Sequence, residues 1–270
     1  MNISESKMEK VRTTIDVATF NLKSSLFGMG IHKWKRRRAL VLRMMRELGS
    51  DIIGVQELTP LMRRDFENEL HEYNLVGLGS GGGFLDEHSD IAVKNGLEVS
   101  YDGTFWLAKK SHRLFSLISP LSWIFPRICT VAEVKVDGRR VRVFNTHLDV
   151  SSEAARCAQL KLICRQISER QKKDPLPTLL MGDFNTKPGA KSLRLLADGY
   201  GFDNVKLTGI AEGEAGGTFH FYKGGMGSRR IDYIFATPEF SLISAKIVRT
   251  AYDGEYPSDH YPLSVRLALD

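Results

Sequence analysis

Run after run of apolar, strand-like sequence in this chain stops on a carboxamide, a carboxylate or an imidazole. "TIDVATFNL" (14–22) carries Asn21 near its end, "DIIGVQE" (51–57) ends in Glu57, and "RRVRVFNTHL" (139–148) reaches Asn145 and His147. "TLLM" (178–181) leads into "GDFN" with Asp183 and Asn185, "RRIDYIF" holds Asp232, and "SDHYP" sets Asp259 beside His260. One polar residue at a strand end is ordinarily a turn former, because Asp and Asn hydrogen-bond their own neighbouring backbone. A whole series drawn from so narrow a chemical set points to a shared site.

Helical patterns separate these runs. In "HKWKRRRALVLRMMRELG" (32–49), Leu40, Val41, Met44, Met45 and Leu48 follow a 3.6-residue period and Gly49 supplies a C-cap. "PLMRRDFENELHEY" (60–73) and "EAARCAQLKLICRQISERQ" (153–171) read as further helices. "TVAEVKV" (130–136) and the run after it are joined by Asp137-Gly138, a hairpin turn. The last third is strand-rich. Strands alternating with helices imply an α/β fold. No linker, repeat or low-complexity stretch divides it, so a single domain over 14–270 is expected, preceded by a loose polar arm over 1–13.

The strand-end groups are hard oxygen donors and two imidazoles, with no cysteine among them. Mg²⁺ favours oxygen ligands and commonly keeps waters while binding substrate phosphate, and Mn²⁺ can substitute. Zinc would call for more histidine or cysteine. Carboxylates orient water, and imidazoles donate protons or hydrogen bonds to developing charge. Metal-assisted hydrolysis of a phosphate ester is the reaction this set implies.

"TFNL", "DIIGVQE", "NTHLD", "GDFN", "RIDYIF" and "SDH", in this order, resemble the endonuclease/exonuclease/phosphatase superfamily from about residue 14 to the end. The resemblance implies the deoxyribonuclease-I-like fold, a four-layer α/β sandwich of two packed mixed sheets flanked by helices, with a metal site at one edge. It implies Asn21, Glu57 and Asp259 as metal residues, Asp183 aligning the attacking water, and Asn185 on the phosphate. It gives His147 a phosphate contact, with Glu87 supporting that histidine. His260 would face the scissile phosphate, oriented by Asp232, and Arg127 and Asn145 would bind phosphate. Nuclease members often carry a tyrosine two residues before the position of Glu87. Leu85 stands there, which points away from simple duplex cleavage.

Lys and Arg total 38 against 32 Asp and Glu, and the resulting +6 suits a polyanionic partner. Seven basic residues between Lys33 and Arg46 form either a phosphate-contacting surface or a solvated helix face, the latter being favoured. "LFSLISPLSWIFP" (114–126) is either a lipid-contacting wedge around Trp123 and Phe125 or a loop folded over a sheet edge, and is too short to span a bilayer. "GLGSGGGF" (77–84) lacks the P-loop lysine and reads as a loop beside the site. Cys129, Cys157 and Cys164 have neither disulfide-framework nor zinc spacing, and three buried reduced thiols in a cytoplasmic protein are expected. The leading functional reading is a Mg²⁺-dependent phosphodiesterase or nuclease acting on nucleic acid or nucleotides. A phospholipid or phosphoinositide head-group enzyme is the alternative. A catalytically silent binding protein is a third, disfavoured because it has no chemical need for the complete set.

Overall fold

The computed structural model describes residues 13–26, 29–81, 86–107, 126–197, 207–210 and 214–270. The expected arm apart from Thr13, the apolar segment 114–125, and residues 82–85 with Leu85 lie outside these.

Twelve strands and four α-helices are present among the described residues. The strands are β1 (Thr13–Asn21), β2 (Ile52–Gln56), β3 (Tyr73–Val76), β4 (Ile91–Lys94), β5 (Glu98–Trp106) and β6 (Ile128–Val136). They continue as β7 (Arg139–His147), β8 (Thr178–Asp183), β9 (Thr208–Ile210), β10 (Asp232–Ala236), β11 (Phe240–Ile247) and β12 (Leu263–Leu269). The helices are α1 (Trp34–Leu48), α2 (Pro60–Glu69), α3 (Glu153–Lys173) and α4 (Lys191–Ala197). One six-stranded sheet runs β11-β12-β1-β2-β4-β3 and the other β5-β6-β7-β8-β10-β9.

Both sheets are antiparallel except at their centres, where β1 lies parallel to β2 and β7 parallel to β8. Parallel neighbours need a long crossover, and α1 and α3 provide the two. Gly49 ends α1 in the left-handed region at φ 57°, its N–H bonded to the Met45 carbonyl. The Asp137-Gly138 turn has φ of 47° and 80°, the double positive value that a tight hairpin requires.

Side chains alternate across each strand and build three apolar layers. Ile15 and Val17 of β1 pack with Val141 and Val143 of β7 between the sheets. Ala18 and Phe20 point the other way, against Val41, Met44 and Met45 of α1. Phe144 and Leu180 meet Leu160 and Ile163 of α3. The order is therefore helix, sheet, sheet, helix, the four-layer sandwich expected from the sequence. Full burial of each such side chain contributes about 1.5–3 kcal/mol.

The basic stretch 33–46 is largely the favoured solvated helix face, with Lys33, Lys35, Arg36, Arg43 and Arg46 exposed and Arg37 the exception. Arg38 lies 3.3 Å from Glu69, Arg43 2.8 Å from Glu47 and Arg46 2.8 Å from Glu72. Arg37 is 2% exposed. The thiols are unpaired, and Cys157 is half-buried while Cys129 and Cys164 are buried. No helix among the described residues is long and apolar enough to cross a membrane.

Candidate active site

In open α/β sheets, ligands bind beyond the carboxyl ends of the parallel strands. Here the two parallel pairs end at the same place. Asn21 is in register with Gln56, just before Glu57, and His147 is in register with Asp183. Gly182 makes the second pairing possible. A Cβ there would lie 1.9 Å from the Thr146 carbonyl oxygen, and its φ of 143° disfavours other residues.

The sheets join through Asn21, whose Nδ2 donates to Glu57 Oε1 at 3.1 Å and to Asp183 Oδ2 at 2.9 Å. Its Oδ1 accepts from the Lys23 N–H at 3.0 Å. Glu57 sits at φ 58° and accepts from the Ser24 N–H at 2.7 Å. Burial raises the Glu57 pKa, but the Lys23 ammonium and the Ser24 N–H outweigh it and hold the carboxyl at about 2.

His260 Nδ1 lies 2.9 Å from Asp232 Oδ2, and its Nε2 lies 3.8 Å from Asp183 Oδ2. Burial lowers its pKa, yet Asp232 and then Asp183 raise it to about 10, so the ring is an imidazolium at neutral pH. His147 is the opposite case. Burial and the Arg127 charge hold it well below its ordinary value, so it is neutral. Both ring nitrogens of His147 face donors, with Arg127 Nη1 2.9 Å from Nδ1 and Asn185 Nδ2 2.9 Å from Nε2. His147 Nε2 also lies 3.6 Å from Asp183 Oδ2. Two imidazoles with opposed protonation thus flank one carboxylate, a separation of acid and base roles by environment. Burial and the Asp232 charge push Asp183 itself up to about 7.

These groups line a cleft of about 410 Å³ that includes Glu57, Glu87, Arg127, His147, Asp183, Asn185, Asp259 and His260. Asn21 lies directly beneath it, fully buried. Two sequence expectations change. Asn145 does not reach the cleft, because its Nδ2 donates to Val55 O and Asp90 O while its Oδ1 accepts from Gln56. It ties the sheets together one layer deeper. Glu87 supports His147 through Arg127, 3.4 Å away, and makes no contact of its own with the ring. Asp232 contacts His260 as expected, from behind the cleft wall.

Lys23, Phe219, Phe221 and Arg229 escaped the sequence reading, which took Arg37 only as one member of the basic stretch 33–46. Lys23 stands two residues past Asn21, the one signal that was available, with its ammonium 3.5 Å from Asp259. Arg37 holds the floor. Its guanidinium donates to the carbonyls of His32 (2.8 Å), Leu22 (2.8 Å), Pro257 (2.6 Å) and Lys23 (2.8 Å).

The donor set fits a hard divalent cation. Glu57, Asp259 and Asn21 offer oxygen and no sulfur, and the carboxylates Glu57, Glu87 and Asp259 outnumber the Lys23 ammonium among them. Asp183, Asp232 and His260 also converge, with ligand atoms within 4.8 Å of one another. Asp232 Oδ2 and His260 Nδ1 already share a hydrogen bond away from the cleft, so that trio fits a proton relay better than an ion.

A sandwich that delivers this chemistry at the paired strand ends is the phosphoesterase type of architecture. The chain belongs to the endonuclease/exonuclease/phosphatase family, whose sequence pattern matches residues 18–260. It is similar to an endonuclease/exonuclease/phosphatase from Bacteroides vulgatus, at 25% identity and TM-score 0.82 over 96% of this chain and 100% of that one. A mannosyl-6-phosphatase from Bacteroides thetaiotaomicron gives 25% identity and TM-score 0.76, covering 94% and 99%. The human Nocturnin catalytic domain shares the fold at 17% identity and TM-score 0.71, covering 96% and 98%. No curated protein sequence matched the chain.

Proposed function

We propose that this chain hydrolyses phosphate esters with a divalent cation, Mg²⁺ or Mn²⁺, held by Glu57, Asp259 and Asn21. The observation that carries the reading is Asp183 Oδ2, which lies 3.6 Å from a neutral His147 and 3.8 Å from a protonated His260. The bound cation supplies positive charge that polarises the phosphoryl group. Asp183 orients the attacking water, and Asn21 and the Asn185 N–H hold that carboxylate in place. His260 faces the phosphate as a hydrogen-bond and proton donor fixed by Asp232, and His147, Asn185 and Arg127 contact the non-bridging oxygens.

A nucleic acid or nucleotide is the proposed substrate, supported by the +6 net charge. Helix α1 contributes less to that argument than its sequence suggests, since most of its arginines are paired or buried. A sugar phosphate is the second reading, favoured by the likeness to a mannosyl-6-phosphatase at 25% identity. Nothing in the described residues supports the lipid head-group reading, whose segment lies outside them. The test is turnover of bis-p-nitrophenyl phosphate with Mg²⁺ or Mn²⁺. EDTA and Asp183→Asn should each abolish it, and activity indifferent to both would sink the proposal.

A further inference from the structure

One wall of the cleft is built from aromatic and basic side chains that the hydrolytic chemistry does not use. Phe219 bridges His260 on one side and Arg229 on the other, both antiparallel. Residues directly opposite across such bridges put their side chains on the same face. Since His260 faces the cleft, Phe219 and Arg229 face it too, and all three line it. Phe219 and Arg229 exchange both backbone hydrogen bonds, at 2.9 and 3.4 Å. With a strand spacing of about 4.8 Å, Arg229 stands about 10 Å across the wall from His260.

The rings between them form a path outwards. Phe219 meets His260 edge-on at 5.0 Å, and Phe221 follows at 5.9 Å from Phe219. Phe221 is 63% exposed and is held at φ 52°, in the left-handed region that phenylalanine seldom adopts. Phe221 also lines the cleft, so its exposed ring is available to a bound planar group. Arg229 is exposed and makes no side-chain hydrogen bond or ion pair among the described residues. A free guanidinium that far from the scissile position is suited to a second anion, which it grips with a planar fork.

We infer that Phe219, Phe221 and Arg229 form a second subsite that takes a planar base and the anionic group beyond it. On the phosphoesterase reading above, the substrate is then a nucleotide bearing a further phosphate, with a dinucleotide as the smallest complete form. A sugar carrying one phosphate leaves the guanidinium without an anion. Stacking on an aromatic side chain tolerates any base, so the subsite selects for nucleotides as a class and not for sequence.

The experiment compares kcat/KM with Mg²⁺ for three probes: a 5′-phosphorylated dithymidylate, the same compound with abasic sites for both bases, and mannose 6-phosphate. The dinucleotide should be preferred about tenfold or more over each of the others, the scale of one stacked base. Phe221→Ala should collapse the preference over the abasic compound towards one. Arg229→Gln should raise KM for both two-anion probes and reduce the salt dependence of that KM. Binding of a fluorescent dithymidylate to Asp183→Asn protein, with and without Phe221→Ala, reads the subsite independently of turnover. Base-dependent binding without hydrolysis in the parent protein would overturn the hydrolase reading and retain the subsite. Hydrolysis with equal preference for all three probes, unmoved by either substitution, would overturn the subsite and retain the hydrolase.

Discussion

Arg37 Nη1 donates to the Pro257 carbonyl at 2.6 Å and to the Leu22 carbonyl at 2.8 Å. One buried nitrogen therefore joins the segment after Asn21 to the segment before Asp259, 220 residues apart from Arg37 in the second case. Replacing Arg37 with Met leaves several buried carbonyls without a donor, at about 1–3 kcal/mol each. Arg37→Met should lower Tm by roughly 10 °C or more and raise the Mg²⁺ requirement, with Arg37→Lys recovering part of both. Thermal melts and a Mg²⁺ titration of turnover check this. A Met variant that melts with the parent would contradict the anchoring role.

Asp232 controls how long His260 stays protonated. The raised His260 pKa means that the pair's stabilisation is fully present below the ordinary value of 6.5 and is lost as pH rises through about 10. The same sign governs catalysis by the protonated ring, whose activity falls on the alkaline side. Asp232→Asn should move that limb down by about one pH unit or more. The check is kcat/KM against pH together with the His260 titration by NMR. An unmoved limb would remove Asp232 from the mechanism.

Glu57→Gln keeps the shape and removes the charge that draws the cation. The Mg²⁺ concentration for half-maximal rate should rise about tenfold or more, with kcat largely recovered at saturation. Loss of kcat that excess Mg²⁺ leaves untouched would assign Glu57 to another task.

Asn145→Ala tests the correction at that position. Three buried partners lose their bond, so stability should fall by about 3 kcal/mol while KM moves little. A large KM change at unaltered Tm would return Asn145 to the phosphate.

The strand-end groups were legible because a carboxylate or imidazole after an apolar run contrasts with its surroundings. Depth was not. Asn145 and His147 are two residues apart and share a face of β7, but two residues are about 6.6 Å, the difference between the inter-sheet layer and the cleft floor. Gly54 makes room for that deeper layer, since a Cβ there would lie 2.6 Å from Asn145 Oδ1. Arg37 was illegible for another reason. Its neighbours are basic and solvent-facing, and the carbonyls that capture it come from segments far away in sequence. Strands β5 and β11 were missed because both are largely solvent-facing and lack an apolar run.

Strand β12 follows every other described strand in the sequence, yet it takes an interior place between β11 and β1. Ser258, a few residues before it, donates to the carbonyl of Asn21 at 2.6 Å. Until this segment docks, β1 lacks one neighbour and His260 has no fixed position against Asp232. Closing the first sheet and completing the constellation are therefore a single event, and it depends on pairing between segments far apart in sequence, the slow kind of contact to form.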